Sequence, residues 1–488
     1  MRLFEIILLL SVTILPFIKR PLLQRIKSNY LVAILGSVLI LHLLIEGVRW
    51  QMFPAYLLVV ILVWRIKAVD ITQKAKFSFL RGLGYFFMLI ILSISWLLPI
   101  VLPVFDLPKP TGEYKVGSES FYVKTNLDEL ITEDPTDKRE LMVKVWYPVQ
   151  TEKEELEAER YVDQASREGF ATKYGLPASA LNYLDQVETF VYKNAQVADG
   201  KFPVILFSHG YGSKATAYYA LLTELASHGY VIINMNHTYE SLGVTFPDGR
   251  KKYFDYDYQR KISAHFMEKM GPVIEAFKDS LSYDQRHPIV RDAIQDYFEG
   301  HIQDRWAKDM FYITNLLNDW NNEGLLKGKL DLDRIGALGH SVGGGTAGNL
   351  AMKDNRIKAA VNLDGIQWGK KIDTVYHVPY LYVSADWPAD HEDINSHIYK
   401  KKSTDYFYET KLLKSAHANF MDIPFMVTLN SVAGTGEINP YLGNRIITEL
   451  TISFFDRHLR GIETKGPERV AAEYDLLEME IFKGDSLL

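Results

Sequence analysis

The stretch "RIGALGHSVGGGTA", Arg334–Ala347, decides the fold. An apolar run comes before a serine that lies between glycines, and small residues come after it. The "GHSVG" of residues 339–343 matches G-x-S-x-G, in which a tight strand-to-helix turn projects a serine hydroxyl into a cleft. Such a turn needs very small neighbours, because the helix crosses the strand closely. We therefore predict a strand at Arg334–Leu338 and a helix at Gly344–Met352.

A similar alternation of an apolar run and a helical pattern repeats through the later part of the chain. Short apolar runs that end in polar residues or glycine, such as "FPVILFSHG", "YVIINMNH", "IKAAVNLDG" and "VPYLYVSAD", alternate with helical patterns such as "WAKDMFYITNLLNDWN". Apolar strands that alternate with amphipathic helices predict an α/β fold, with a mostly parallel sheet and helices on both faces. In such sheets, ligands bind beyond the carboxyl ends of the strands, where the polar residues of these runs fall.

The first hundred residues are far more apolar than the rest. Four apolar stretches lie at about Leu3–Ile18, Tyr30–Ile45, Trp50–Trp64 and Leu83–Leu102. The last is long enough to cross the hydrocarbon core of a membrane, and the other three need aromatic or snorkelling flanks to do so. The first stretch reads as a retained anchor and not as a cleaved signal, since "KRPLLQRIK" follows it.

Basic residues orient these predicted spans. Four lie between the first and second span, five lie between the third and fourth, and only Arg49 lies between the second and third. The positive-inside rule places the two basic loops in the cytoplasm, so everything after Leu102 lies outside. We thus predict a transmembrane region of about four helices (1–105), a proline-rich linker (106–114) and an extracytoplasmic domain (115–488). Two segments of that domain, 150–200 and 240–300, do not fit the strand–helix repeat and are predicted to be caps over the site.

Composition excludes several classes of function. The 488-residue chain has no cysteine, which removes disulfides, thiolate metal sites and a cysteine nucleophile. The net charge of −6 gives no indication of nucleic-acid binding. The "FDYDY" segment lacks the pattern of a calcium loop, and no predicted span carries a charge in its middle, which disfavours a transporter. We expect no cofactor and no metal, and the sequence identifies no protein partner.

A serine hydroxyl needs a base, and the base needs an acid to orient it. His417, in "LLKSAHANFMD", follows the last strand-like runs and is the predicted base for Ser341. Two aspartates compete for the third role, because Asp364 and Asp386 both end predicted strands. Strand order alone favours Asp386.

The developing oxyanion needs two backbone N–H donors. One is predicted to be Val342, next to the nucleophile. The other is expected from the loop in "FSHGYGSK", where Gly210 and Gly212 allow close approach and Tyr211 donates. We expect His209 to brace this loop and to take no part in proton transfer.

The combination of "FSHGYGSK", "GHSVGGGTA", "NLDG" and "SAHANFMD" resembles the platelet-activating factor acetylhydrolase family of α/β-hydrolases, in its plasma and intracellular type II branch. The likeness covers about residues 115–461. It implies an α/β-hydrolase fold and a calcium-independent serine esterase that acts on short or oxidised acyl chains of phospholipids. It also favours Asp364 over Asp386 as the acid and implies Tyr211 as the second oxyanion donor.

The chain departs from that family in two respects. The four apolar stretches are not part of the family's usual domain. The segments 150–200 and 240–300 show no close match to the family. The membrane region and the lack of cysteine resemble a bacterial cell-surface enzyme. The leading hypothesis is a membrane-anchored hydrolase of small or lipid-derived esters, with an acyltransferase that uses the same triad, or a non-catalytic membrane sensor, as alternatives.

Overall fold

The computed structural model describes residues 1–17, 28–68, 79–149, 156–369, 375–387, 394–398, 405–463, 466–484 and 486–488. The chain forms two compact units. The first consists of Met1–Asp106, Leu176–Val187 and Phe425–Ala433, and the second of Leu107–Gly175, Glu188–Pro424 and Gly434–Leu488.

Helices dominate the first unit. They are α1 (Leu3–Ile14), α2 (Ser28–Ile45), α3 (Phe53–Ala68) and α4 (Phe79–Val101), with 3-10 turns at Leu15–Phe17 and Trp50–Met52. Leu8, Leu35 and Leu58 belong to their shared core, whereas Leu44 and Phe79 are about four-fifths exposed, at 78% and 81%. Apolar side chains on both the inner and the outer surface are typical of helices that meet lipid.

Two segments of this unit, Trp50–Lys67 and Gly82–Val101, are long and apolar enough to cross a membrane. Two more apolar helices, Leu3–Ile14 and Asn29–Ile45, are shorter. Length and composition are thus weak support for a membrane region, and the four-span arrangement stays a prediction. Six of the basic residues used for its orientation lie outside the described residues: Lys19, Arg20, Arg25, Lys27, Lys74 and Lys76.

Part of the predicted cap segment 150–200 belongs to this helical unit. This part contains the 3-10 turn Ala178–Gln186, and the indole N–H of Trp50 donates to the carbonyl of Ala180 at 2.6 Å. Arg2 donates to the Gln186 side chain at 2.7 Å. These bonds hold the turn against the ends of the helices within the first unit.

The second unit is built on a mixed sheet. Its strands are β1 (Lys115–Asp128), β2 (Lys138–Val149), β3 (Val191–Lys193), β4 (Phe202–Ser208), β5 (Val231–Asn236), β8 (Leu330–His340), β9 (Ile357–Leu363), β10 (Tyr380–Ser384), β11 (Tyr406–Leu412), β12 (Leu477–Lys483) and β13 (Ser486–Leu487). A separate hairpin contains β6 (Gly243–Thr245) and β7 (Lys251–Tyr253). The order across the main sheet is β13-β12-β11-β10-β9-β8-β4-β5-β2-β1-β3.

The middle of this sheet is parallel. The strands from β5 through β4, β8, β9 and β10 to β11 run parallel, and β2 and β12 flank them in antiparallel pairs. Every residue of β4, β5 and β10 is buried, as expected for strands covered on both faces. The predicted α/β-hydrolase architecture, a mostly parallel sheet between helices, is therefore confirmed.

Most of the remaining helices cover or connect these strands, whereas the helix at Asn430–Ala433 belongs to the first unit. The remaining helices are α5 (Gln164–Lys173), α6 (Tyr219–Ser227), α7 (Tyr256–Ile262), α8 (Phe266–Lys278), α9 (Tyr283–Asp296), α10 (Phe298–Asn322), α11 (Val342–Lys353), α12 (Ile423–Met426), α13 (Asn430–Ala433), α14 (Pro440–Phe455) and α15 (Pro467–Glu473). The segment 240–300 thus contains the β6–β7 hairpin, α7, α8 and α9, and it ends in the first turn of α10.

Strand order determines where a site can form. From β4 the chain moves to β5 on one side, and it later returns to β8 on the other side. The loops that follow β4 and β8 therefore diverge at a topological switch point, where a crevice opens. The register pairs Ser208, the last residue of β4, with Gly339 near the end of β8. The "HGYG" loop and the serine turn consequently emerge side by side.

Candidate active site

Ser341 occupies the turn between β8 and α11. Its backbone has φ 58° and ψ −126°, a conformation that residues with side chains rarely adopt. The turn is secured by its N–H, which donates to the carbonyl of Leu363 at 2.9 Å. A Cβ at Gly339 would collide with the carbonyl of Gly343, and a Cβ at Gly343 would collide with that of Ser208. The flanking glycines are thus required by close packing of the turn against β4.

His417 and Asp364 form a hydrogen-bonded pair. The Nδ1 of His417 lies 2.6 Å from Oδ2 of Asp364. The other oxygen of Asp364 accepts from the backbone N–H of Ala385 at 2.8 Å and from the indole N–H of Trp387 at 2.9 Å. Three donors therefore hold a carboxylate whose side chain is only 1% exposed. This leaves the Nε2 of His417 available for another partner.

Asp386, the alternative acid, makes a different set of hydrogen bonds. Its Oδ2 accepts the backbone N–H of Lys414 at 2.8 Å, and its own N–H donates to the carbonyl of Ser415 at 3.3 Å. Asp386 therefore fastens the loop between β11 and His417. The structure pairs His417 with Asp364, although strand order alone favoured Asp386.

The two predicted oxyanion donors come from neighbouring loops. A Cβ placed on Gly210 would lie 3.4 Å from the Cβ of Ser341, so the "HGYG" loop lies directly against the serine. Among the described residues, neither the N–H of Tyr211 nor that of Val342 has a hydrogen-bond acceptor. The Val342 N–H lies in the first turn of α11, where helices leave such groups unpaired and attract negative charge.

Ser341, Val342, Asp364 and His417 line one cavity of about 220 Å³. Its other walls are Glu299, Ile366, Trp368, Tyr382, Trp387, Ile394 and Asn395. The volume is below the range of about 300–1,000 Å³ that encloses drug-sized ligands, so it suits a small acyl group. Tyr211, the other predicted oxyanion donor, is not among the lining residues.

A chain of hydrogen bonds links the two loops, and sequence reasoning missed it. The N–H of Gly210 donates to the Tyr218 hydroxyl at 2.9 Å, and that hydroxyl lies 2.8 Å from Nδ1 of His340. The Nε2 of His340 lies 3.2 Å from the carbonyl of His417. Burial keeps the pKa of His340 well below its usual value, so the ring is neutral and can donate at Nε2 while accepting at Nδ1.

Asn419 and Asp422 anchor the histidine loop. The side-chain oxygen of Asn419 accepts the N–H groups of Ala416 and Gly436 at 2.8 and 2.7 Å. The carboxyl of Asp422 accepts the N–H of Tyr219 at 2.7 Å, at the start of α6. The motif "HANFMD" therefore contains one candidate base and two residues that hold its loop. The fixed spacing within this motif could have indicated such a role.

Buried side chains that stack and form hydrogen bonds with one another pack against the "HGYG" loop. The ring of Trp306 stacks on His237 at 4.0 Å, and its N–H donates to Glu240 at 2.7 Å. Trp306 also packs with Val342 and Tyr211, the two candidate donors. His209 is fully buried with its Nδ1 2.8 Å from the Gly210 carbonyl, and burial lowers its pKa well below the usual value.

One group of possible metal ligands occurs in the first unit. Atoms of Glu5, His42 and Glu46 lie within 4.8 Å of one another. Arg49 already pairs with both oxygens of Glu5, each at 2.7 Å, and Arg2 adds a further bond at 2.7 Å. Two guanidinium groups thus balance the two carboxylates. A divalent cation would meet that positive charge, and we assign none to this group.

Comparisons with known proteins show the family to which the chain belongs. A family model described as platelet-activating factor acetylhydrolase, isoform II, matches residues 101–466. The platelet-activating factor acetylhydrolase of Gallus gallus is 26% identical over 303 residues, which cover 57% of this chain and 67% of that protein. The Canis lupus familiaris protein of the same name is 24% identical, over 53% of this chain and 57% of its own length.

A fungal relative and a solved structure extend the comparison. A probable 1-alkyl-2-acetylglycerophosphocholine esterase of Arthroderma benhamiae is 23% identical, over 70% of this chain and 83% of that protein. A ferulic acid esterase from Streptomyces cinnamoneus superposes with a TM-score of 0.56 at 23% identity, covering 77% of this chain and 98% of that one. At that identity the second likeness concerns the fold alone.

Proposed function

Because the chain belongs to the platelet-activating factor acetylhydrolase isoform II family of carboxylic ester hydrolases, we propose that it is a membrane-anchored serine esterase. Its substrates are short-chain or lipid-derived esters, and its triad is Ser341, His417 and Asp364. The observation that carries this proposal is the 2.6 Å contact between His417 and Asp364 beside the cavity that Ser341 lines.

The geometry supports a two-step acyl transfer. Ser341 Oγ attacks the ester carbonyl carbon while the Nε2 of His417 takes its proton, and Asp364 stabilises the imidazolium that forms. The N–H groups of Tyr211 and Val342 hold the tetrahedral oxyanion. The alcohol leaves with the proton from His417, so Ser341 remains acylated. Water then attacks the acyl carbon as it loses a proton to His417. The tetrahedral intermediate collapses when His417 returns that proton to Ser341 Oγ, which breaks the acyl–serine bond and releases the acid.

The cavity favours a small acyl group. Its volume is about 220 Å³, and the aromatic side chains of Trp368, Tyr382 and Trp387 form part of its wall. Ile366 and Ile394 complete an apolar lining, against which a short chain loses its contact with water. No protein partner enters this scheme, and the residues of the triad need no cofactor for these steps.

The direct test is a panel of esters that vary in acyl length and leaving group. The full-length protein in detergent is compared with Ser341→Ala and with the control Ser431→Ala, a change at an exposed serine. Ser341→Ala should lower kcat by about 10⁵-fold or more, and Ser431→Ala should leave it unchanged. Hydrolysis by Ser341→Ala at the wild-type rate would refute the triad.

The panel also separates the alternatives. Product analysis with an added alcohol distinguishes an acyltransferase, which would form a new ester in place of the free acid. A fluorophosphonate probe distinguishes a non-catalytic sensor, because only an activated serine reacts with it. We expect free acid as the main product and labelling that Ser341→Ala abolishes.

The membrane anchor is tested separately. The two apolar segments Trp50–Lys67 and Gly82–Val101 support it. The protein should remain in the membrane fraction after an alkaline wash, and externally added protease should cleave the domain that follows residue 106. Release into the soluble fraction would contradict the anchor, and protection of that domain would contradict the extracytoplasmic orientation.

A further inference from the structure

Glu299 lines the catalytic cavity but has no part in the triad. It belongs to the first turn of α10 and shares the cavity with Ser341 and His417. It is close enough to His417 that the positive charge of the imidazolium would lower the pKa of its carboxyl. A second carboxyl at a site that already contains Asp364 requires an explanation.

The position of Glu299 is fixed by the start of its helix. Gln303, one turn further along α10, donates to the carbonyl of Ile366 at 2.7 Å and accepts the N–H of Trp368 at 3.0 Å. The ring of Tyr297, just before the helix, packs on Trp368 with 4.2 Å between centroids. The start of α10 is thus fastened to the loop after β9, and Glu299 points into the cavity from a rigid element.

Glu299 is partly buried where it lines the cavity. Burial raises the pKa of its carboxyl to about 7, although a hydrogen bond from Trp368 opposes this shift. Glutamine could accept the same bond without the cost of burying a charge. Strongly perturbed groups inside clefts are candidates for functional roles. Compared with glutamate, glutamine at this position would lack only the negative charge of the ionised carboxylate.

We propose that Glu299 is a specificity-determining residue that disfavours carboxylates in the catalytic cavity. Its negative charge would repel two kinds of ligand: the acid that hydrolysis releases, and esters whose acyl group carries a carboxylate. The inference rests on the proposed esterase function, because it uses the product of that reaction. Hydrolysis converts a neutral ester into an acid that is ionised at neutral pH. Repulsion from Glu299 then assists its release.

The test measures inhibition of the full-length protein by butyrate and by its uncharged analogue butyramide. A neutral chromogenic ester is the substrate, at about pH 8.5, where the Glu299 carboxyl is ionised. The variants are Glu299→Gln, Glu299→Asp and the control Glu323→Gln. Glu323 follows the other end of α10 and is exposed, so its removal changes the net charge equally but leaves the cavity unchanged.

Glu299→Gln should lower the inhibition constant of butyrate about tenfold, since it removes a like charge that lies close to the bound carboxylate. The constant for butyramide should change less than about twofold, and Glu299→Asp should behave like the wild type. A purely structural role would shift both inhibitors together. A joint shift, or no shift for butyrate, would overturn the inference.

A second measurement needs no variant. The wild type is compared on p-nitrophenyl butyrate and p-nitrophenyl hemisuccinate, whose acyl groups have equal length but differ by one carboxylate. We expect kcat/KM for the neutral ester to exceed that for the charged ester by at least about tenfold. A smaller ratio would overturn the inference. This comparison remains possible even if Glu299→Gln does not fold. Hydrolysis that survives Ser341→Ala would instead refute the proposed function, so the two failures are distinguishable.

Discussion

The carbonyl oxygen of His417 lies 3.2 Å from the Nε2 of His340, the residue before the candidate nucleophile. The G-x-S-x-G turn therefore contacts the loop of its candidate base through a hydrogen bond from the His340 side chain to a backbone carbonyl. Because Tyr218 joins His340 to Gly210, the same chain of bonds extends to the loop that supplies an oxyanion donor. Three loops that are distant in sequence share one set of hydrogen bonds.

Tyr218→Phe breaks this chain at its centre. It leaves the Gly210 N–H and the His340 Nδ1 without a shared partner, and a buried unpaired group costs about 1–3 kcal/mol. We expect kcat to fall about tenfold with little change in KM, because both loops position groups that act in the transition state. Tyr474→Phe is the control, since that hydroxyl donates to Glu449, outside the cavity. Equal kcat values for the two variants would argue against a positioning role.

Asp364→Asn and Asp386→Asn separate the two candidate acids. Asparagine at position 364 would keep the shape but could not stabilise the imidazolium, and kcat should fall by about 10⁴-fold. At position 386 only the bond to Lys414 is affected, so the loss should stay below about tenfold. The comparison requires kcat for both variants with one short-chain ester. The reverse order of effects would show that the observed pairing is not the catalytic one.

Trp306→Phe tests the support behind the oxyanion loop. The change removes the N–H that donates to Glu240 and reduces the packing against Val342 and Tyr211. A small displacement of those donors should lower kcat by about 10- to 100-fold. Trp320→Phe is a matched control on the same helix, where the ring stacks on Phe121. If both variants lose stability but neither loses kcat, Trp306 contributes only to packing.

The raised pKa of Glu299 predicts a pH dependence of stability. The carboxyl has a pKa of about 7 when folded and near 4.5 in its ordinary state, so the folded chain binds more protons between these values. The free energy of unfolding therefore falls as pH rises from about 4.5 to 7, and below this window the group has no effect. Glu299→Gln removes this contribution.

The measurement is the Tm of both proteins in detergent across that pH range. The Tm of Glu299→Gln should rise relative to that of the wild type as pH increases, and the difference should level off above about pH 7. Glu323→Gln, at an exposed position, should give no such trend. A constant difference between Glu299→Gln and the wild type would mean that the carboxyl titrates in its ordinary range.

Local patterns were sufficient for the parallel core of the fold. Strands β4, β5 and β10 are buried throughout, because both of their faces are covered, and β8 and β9 each end in a shorter buried run. Such predominantly apolar runs are visible in any short window. The edge strands were not predicted from such runs. Strand β12 alternates charged and apolar residues, "LEMEIFK", and its strand conformation depends on pairing with β11.

The sequence by itself determined the serine turn, the parallel core and the set of candidate residues, because each depends on neighbours within a few positions. Strand order left Asp364 and Asp386 as competing acids and a family resemblance favoured Asp364, but only the tertiary structure shows the contact itself. There His417 lies against Asp364, whereas Asp386 accepts the N–H of Lys414. The tertiary structure alone revealed the bonds through Tyr218 and the carboxyl of Glu299 in the cavity. These depend on contacts between segments many residues apart, which no local pattern encodes.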